Sequence, residues 1–82
     1  MNTSELRAER IRQGKSVDYM AEVIGKTNDT YSKKERGYVK FSPEEMVAVS
    51  NDLLLTPAMF NLIFFDSKLP FGKAIRKSSS WQ

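Results

Sequence analysis

Neither cysteine nor histidine occurs in the 82 residues. The first absence excludes a disulfide framework and thiolate zinc ligation. The second removes the commonest general base and the other common zinc ligand. A core of this size without staples relies on closely packed helices or on self-association. Long apolar runs are missing as well: stretches such as Leu62 to Phe65 fall far short of the ~20 residues a membrane span needs. The polar start, MNTSELRAER, lacks the apolar stretch of a signal peptide. The expectation is one small cytoplasmic domain without membrane, metal, cofactor or small-molecule substrate. With no nucleophile–base pair and no phosphate-cradling glycine loop, an enzyme is not expected.

Lysine and arginine are absent from residues 41–66, which carry −4 and form the most apolar part of the chain. Residues 1–15 carry +2, 16–27 carry −1, 28–40 carry +2 and 67–82 carry +4, for a net +3. That distribution suits one face for a polyanion and another for packing or self-association. Ordinary solvated faces would give the same totals, so charge alone does not decide.

Five helical segments can be read from caps and periodicity. Ser4 precedes ELRAERIRQG, with Glu5 in the first turn, Leu6 and Ile11 directed inward and Gly14 as a stop. Arg10 falls between those apolar positions and needs a partner there. Ser16 caps VDYMAEVI, which ends at Gly25 and whose Val17, Met20, Ala21 and Ile24 recur at helical spacing as a core stripe. Thr27 caps a third helix, Asn28 to Arg36, stopped by Gly37. Tyr31 is its one large apolar residue, so this helix has little to bury and a polar face to present; Lys34 and Arg36 are expected to point to solvent or to flank the groove that such a face would enter. Ser42 with Pro43, and Thr56 with Pro57, each join a cap to a proline at the first helical position. They start a fourth helix, with Met46, Val49 and Leu53 inward, and a fifth, AMFNLIFF. That fifth helix cannot hide Phe60, Leu62, Ile63, Phe64 and Phe65 on one face, which marks Leu62, Ile63, Phe64 and Phe65 as a candidate dimer interface. The predicted fold is all-α. A helical domain spans residues 1–66, and a basic tail over 67–82 carries Lys68, Lys73, Arg76 and Lys77, with no role for Trp81.

The three-residue turn Gly25 to Thr27 holds helices two and three at a steep angle. The segment SVDYMAEVIGKTNDTYSKKERG resembles the helix-turn-helix of the λ-repressor/Cro-like (XRE) family. Ala21, Gly25, Thr27, Tyr31 and Glu35-Arg36-Gly37 match its pattern in place and order. The pieces Tyr31-Ser32-Lys33-Lys34-Glu35, Phe41-Ser42-Pro43-Glu44-Glu45 and Phe64-Phe65 are similar to small phage-borne regulators. The resemblance covers residues 5–66. The chain departs from the pattern at Lys15, where the family often has leucine, and at Val17, where it often has glutamine. It departs again at Leu54, where the family usually has asparagine or glycine at positive φ.

The resemblance implies a five-helix λ-repressor-like fold that binds double-stranded DNA by placing helix three in the major groove. Asn28, Asp29, Ser32 and Lys33 are then the candidate base readers. Asparagine pairs with adenine N6 and N7, and lysine donates to guanine O6 and N7. Asp29 can accept from cytosine N4 or merely complement the helix dipole. Ser16, Val17, Lys26, Thr27, Tyr38 and Lys40 are the candidate phosphate contacts. An internal ion pair between Arg10 and Glu35 is also implied. The expected protein is a Cro-type repressor of phage or prophage origin, working at the nucleoid of a bacterial cell, with a homodimer on a palindromic operator. The alternative is a protein-interaction module that keeps the fold and has lost DNA binding.

Overall fold

The computed structural model describes residues 1–65, and within them the protein is all-helical. The elements are α1 (Thr3–Arg12), α2 (Val17–Ile24), α3 (Asn28–Glu35), α4 (Pro43–Leu53) and α5 (Pro57–Phe60). The chain then continues into a π-helical turn, Asn61–Phe65. No helix among the described residues is long and apolar enough to cross a membrane. The tail over 67–82 lies outside the described residues.

Every α-helix starts on a side chain that accepts from a backbone N–H of its first turn. Ser16, Thr27, Ser42 and Thr56 do so for α2 to α5. Ser42 and Glu45 close a reciprocal capping box, with Glu45 accepting from the Ser42 amide at 2.9 Å. Helix α1 differs from expectation: its cap is Asn2, not Ser4, and the helix begins at Thr3.

Four helices end in the same hydrogen-bond pattern. In α2, the Gly25 amide donates to Glu22 O at 3.1 Å and the Lys26 amide to Ala21 O at 2.9 Å. This is a Schellman motif, whose first residue beyond the helix takes positive φ. Gly25 supplies it at φ 70°. The equivalent residue after α4 is Leu54, at φ 55° and 84% exposed. A leucine there meets its own carbonyl oxygen and gains no burial in return. Leu54→Gly is expected to stabilise the domain by about 0.5–1 kcal/mol, since strain relief exceeds the added freedom of the unfolded chain. A thermal melt showing an unchanged or lower Tm would contradict this.

Leu6, Met20, Tyr31, Val49, Leu53 and Ile63 are fully buried and draw on every element except α5. Ile11 is half exposed instead of inward. The position four residues after Leu6 belongs to Arg10, and Ile11 falls a further ~100° around the helix. The fifth helix is also shorter than expected. Its last five residues wind as a π-turn, with Ile63 and Phe64 in the core. The Asn2 amide donates to Ile63 O at 2.8 Å, tying the start of α1 to this turn. Ile63 and Phe64 are thus corrected from candidate interface to core. Leu62 is half-buried and Phe65 is exposed beside a cleft of about 310 Å³ lined by Met1, Lys40, Phe41, Met46 and Phe64.

Where α1 turns into α2, lysine replaces the leucine of the family pattern and builds a polar latch. Lys15 Nζ donates to both the backbone oxygen and Oδ2 of Asp52, each at 2.9 Å, and the Tyr19 hydroxyl donates to Asp52 Oδ1 at 2.7 Å. Gln13 Nε2 donates to Leu53 O at 2.9 Å. Together these satisfy carbonyls that the end of α4 leaves open.

Candidate nucleic-acid interface

Helix α3 is built with two distinct sides. Tyr31, Lys34 and Glu35 are buried, whereas Asn28, Asp29 and Lys33 are exposed and Ser32 is half-buried. Tyr31 anchors the inner side by packing edge-on against Phe41 at 6.1 Å and donating its hydroxyl to Glu35 Oε2 at 2.9 Å. Burial, with the adjacent Glu35 charge, pushes the Tyr31 hydroxyl far above its ordinary pKa, so it stays a donor.

Arg10 meets Glu35 side-on. Its Nε donates to Oε2 at 2.7 Å and its Nη2 to Oε1 at 3.2 Å, and its Nη1 donates to Lys15 O at 2.9 Å. The Glu35 hydrogen bond raises the guanidinium pKa against the opposing effect of burial. This fork fixes the end of α3 to α1 and to the turn before α2.

Lys34 corrects the sequence reading. It turns inward and donates to Lys40 O and Glu45 Oε1, both at 2.9 Å, with its ammonium 5.9 Å from the Phe41 ring centre. The position three residues after Tyr31 lies on the buried side, and Glu45 supplies the charge that lets a lysine stay there. Lys26 Nζ approaches the other Glu45 oxygen at 3.7 Å. Burial pushes the Glu45 carboxyl up, but Lys34, the Ser42 amide and Lys26 outweigh it and hold its pKa below the ordinary value. Arg36 is exposed as expected and stacks 5.1 Å over the Tyr38 ring.

The remaining candidates lie on the α2–α3 pair and the connection after it. Ser16 and Thr27 are exposed caps at the starts of α2 and α3, Val17 is half-buried, and Lys26 sits in the turn between the two helices. Tyr38, 74% exposed, and exposed Lys40 stand on the connection to α4. Two carboxylates pair with candidate residues. Lys33 Nζ lies 3.1 Å from Asp29 Oδ2, and the Asn28 amide nitrogen donates to Asp18 Oδ1. Asp18 was not singled out from the sequence. The signal available there was its place in the first turn of a helix joined to α3 by only three residues.

The helix-turn-helix family model matches residues 6–60, two-thirds of the chain. The chain belongs to the λ-repressor-like helix-turn-helix family. No curated protein and no solved structure matches it. Membership in this helix-turn-helix family makes the protein a double-stranded-DNA-binding transcription regulator.

Proposed function

We propose that this regulator is a sequence-specific repressor of the Cro type, of phage or prophage origin, binding a palindromic operator as a homodimer. The observation that carries the reading is the split character of α3. Its anchors point inward, while Asn28, Asp29 and Lys33 are exposed and Ser32 is half-buried along the helix that, on this reading, enters a major groove. On this reading Lys26, Lys40, Tyr38, Thr27 and the amides at Ser16 and Val17 contact the phosphate backbones. Phe65 and half-buried Leu62 are the remaining apolar candidates for the contact between subunits. The protein would act in the bacterial cytoplasm, at the nucleoid.

Selection of bound sequences from random duplex DNA tests this reading. A palindrome with half-sites about one helical turn apart is expected. On that duplex, Asn28→Ala is expected to relax base preference at one position by ~1–3 kcal/mol. Lys40→Ala should weaken binding to all sequences and flatten the salt dependence. Exchange of these two outcomes would overturn the assignment of roles.

A second reading has its own observation. Asp18 and Asp29 place two carboxylates where a phosphate backbone would approach. A protein-interaction module that has lost DNA binding would tolerate both. It would show no salt-dependent association with duplex DNA, whereas the repressor shows a clear slope.

A further inference from the structure

The buried carboxylate of Glu45 has more cations beside it than its neutralisation requires. Its Oε1 accepts from Lys34 Nζ and from the Ser42 amide, both at 2.9 Å. Its Oε2 faces Lys26 Nζ at 3.7 Å, which is longer than a hydrogen bond of ~2.7–3.2 Å. The two lysines sit in different surroundings. The Lys34 side chain is 8% exposed and the Lys26 side chain 49%. Lys34 is held in place by a second bond, to Lys40 O at 2.9 Å, and by the Phe41 ring. Lys26 stands in the turn after Gly25 and has no other side-chain partner among the described residues.

Two ammonium groups against one carboxylate leave the cluster with a surplus of positive charge. Buried Lys34 cannot present that surplus to a ligand, whereas half-exposed Lys26 can. When Lys26 moves away from Glu45, the carboxylate keeps Lys34 and the Ser42 amide, so nothing buried is left unpaired. Without Lys34 the balance reverses. Glu45 would then have Lys26 as its one ammonium partner, and an unpaired buried carboxylate is strongly unfavourable. It would draw Lys26 inward, and any phosphate reaching for Lys26 would compete with Glu45 for it.

We propose that Lys34 is a positioning residue for DNA binding: by neutralising Glu45 from the buried side, it releases the Lys26 ammonium to a backbone phosphate. Lys34 touches no DNA and acts through Glu45. This rests on Lys26 being a phosphate contact. A lysine that merely fills the space beside Phe41 would leave Lys26 unaffected, because packing there does not depend on the charge of Glu45.

The test uses the full chain and the duplex obtained by selection, with affinity measured between about 50 and 200 mM salt. Lys26→Ala should lower the slope of log affinity against log salt by about one, the signature of one lost phosphate contact. Lys34→Met should lower it by about one as well, with base preferences retained. Adding Lys26→Ala to Lys34→Met should take nothing further from the slope. Lys34→Met/Glu45→Gln removes the carboxylate but keeps an acceptor for the Ser42 amide, and should restore the wild-type slope. A wild-type slope in Lys34→Met, additive losses when both lysines are replaced, or no rescue by Glu45→Gln would each overturn the proposal. So would loss of base preference at every position, which reports a damaged fold. If Lys34→Met does not fold, a crystal structure of the wild-type complex decides. Lys26 Nζ should then lie within ~3.2 Å of a phosphate oxygen, with Lys34 still on Glu45; Lys26 remaining on Glu45 would overturn the proposal. If Lys26→Ala leaves the slope unchanged, the phosphate role of Lys26 itself fails and that of Lys34 falls with it.

Discussion

Arg10→Met is expected to destabilise the domain by about 3–5 kcal/mol, the cost of leaving a buried carboxylate without its counter-ion. Glu35 would keep only the Tyr31 hydroxyl, at 2.9 Å, and Lys15 O would lose the Arg10 donor. A domain of this length has a total stability of only about 4–12 kcal/mol, so the variant should be largely unfolded or close to it. The pair is not thereby a large net contributor. Removing two charges from water costs about as much as their attraction returns, and apolar replacements of similar size are often neutral. The triple variant Arg10→Met/Tyr31→Phe/Glu35→Leu removes both charges and the Tyr31 hydroxyl together and leaves only Lys15 O without its donor, so it should recover most of that loss. Urea unfolding followed by circular dichroism measures both. Equal stability of the single variant and the wild type would mean that Glu35 is solvated.

Lys34→Met should cost about 3 kcal/mol at neutral pH, the low end of the range for stripping a buried charge. Glu45 would still accept from the Ser42 amide at 2.9 Å and keep Lys26 at 3.7 Å. The pH dependence identifies the cause. In the wild type the Glu45 pKa is lowered from an ordinary 4.5. Its contribution is thus complete above that value and is lost as pH falls through the folded pKa. Asp52, held below its ordinary 3.8 by Lys15 and Tyr19 against the effect of burial, acts in the same direction. Wild-type stability should fall below about pH 5 and continue falling toward pH 3. In Lys34→Met the burial of Glu45 is opposed by less, so its protonation relieves strain, and the gap to the wild type should narrow as the solution is acidified. Melting curves at pH 7, 5 and 4 decide. A gap independent of pH would place the loss in packing against Phe41.

The local rules of helix ends were legible in the sequence, because a cap needs only neighbours within one turn. Ser16, Thr27, Ser42 and Thr56 all take that role, and Leu54 adopts the left-handed conformation that its position demanded. Asn2 escaped notice because Ser4 offered an equally good cap two residues later. What the residues could not reveal was which of two compatible surroundings a side chain meets. A lysine at position 34 reads as solvent-facing until Glu45, eleven residues on, is seen beneath it. Ile63 and Phe64 read as surplus apolar surface until the π-turn brings both inward. The Arg10–Glu35 contact came from family resemblance, since a separation of 25 residues leaves no local signal. Lys15 looked like a missing core anchor, and its latch to Asp52 required the fold to bring the α1–α2 turn beside the end of α4.

The bond from the Asn2 amide to Ile63 O joins nearly the first residue of the unit to nearly the last. Its consequence lies in the order of events during synthesis. The chain leaves the ribosome from its N-terminus, so α1 is made before the π-turn that it packs against. Until Ile63 has emerged, the Asn2 amide at the start of α1 has no Ile63 carbonyl to hold it. Contacts between distant parts of a chain form only after the intervening loop has closed. The helix-turn-helix draws on neighbouring residues, whereas the contact that ties α1 to the π-turn needs residues some sixty positions apart. A chain interrupted before residue 63 would own all of α3 and none of that closure.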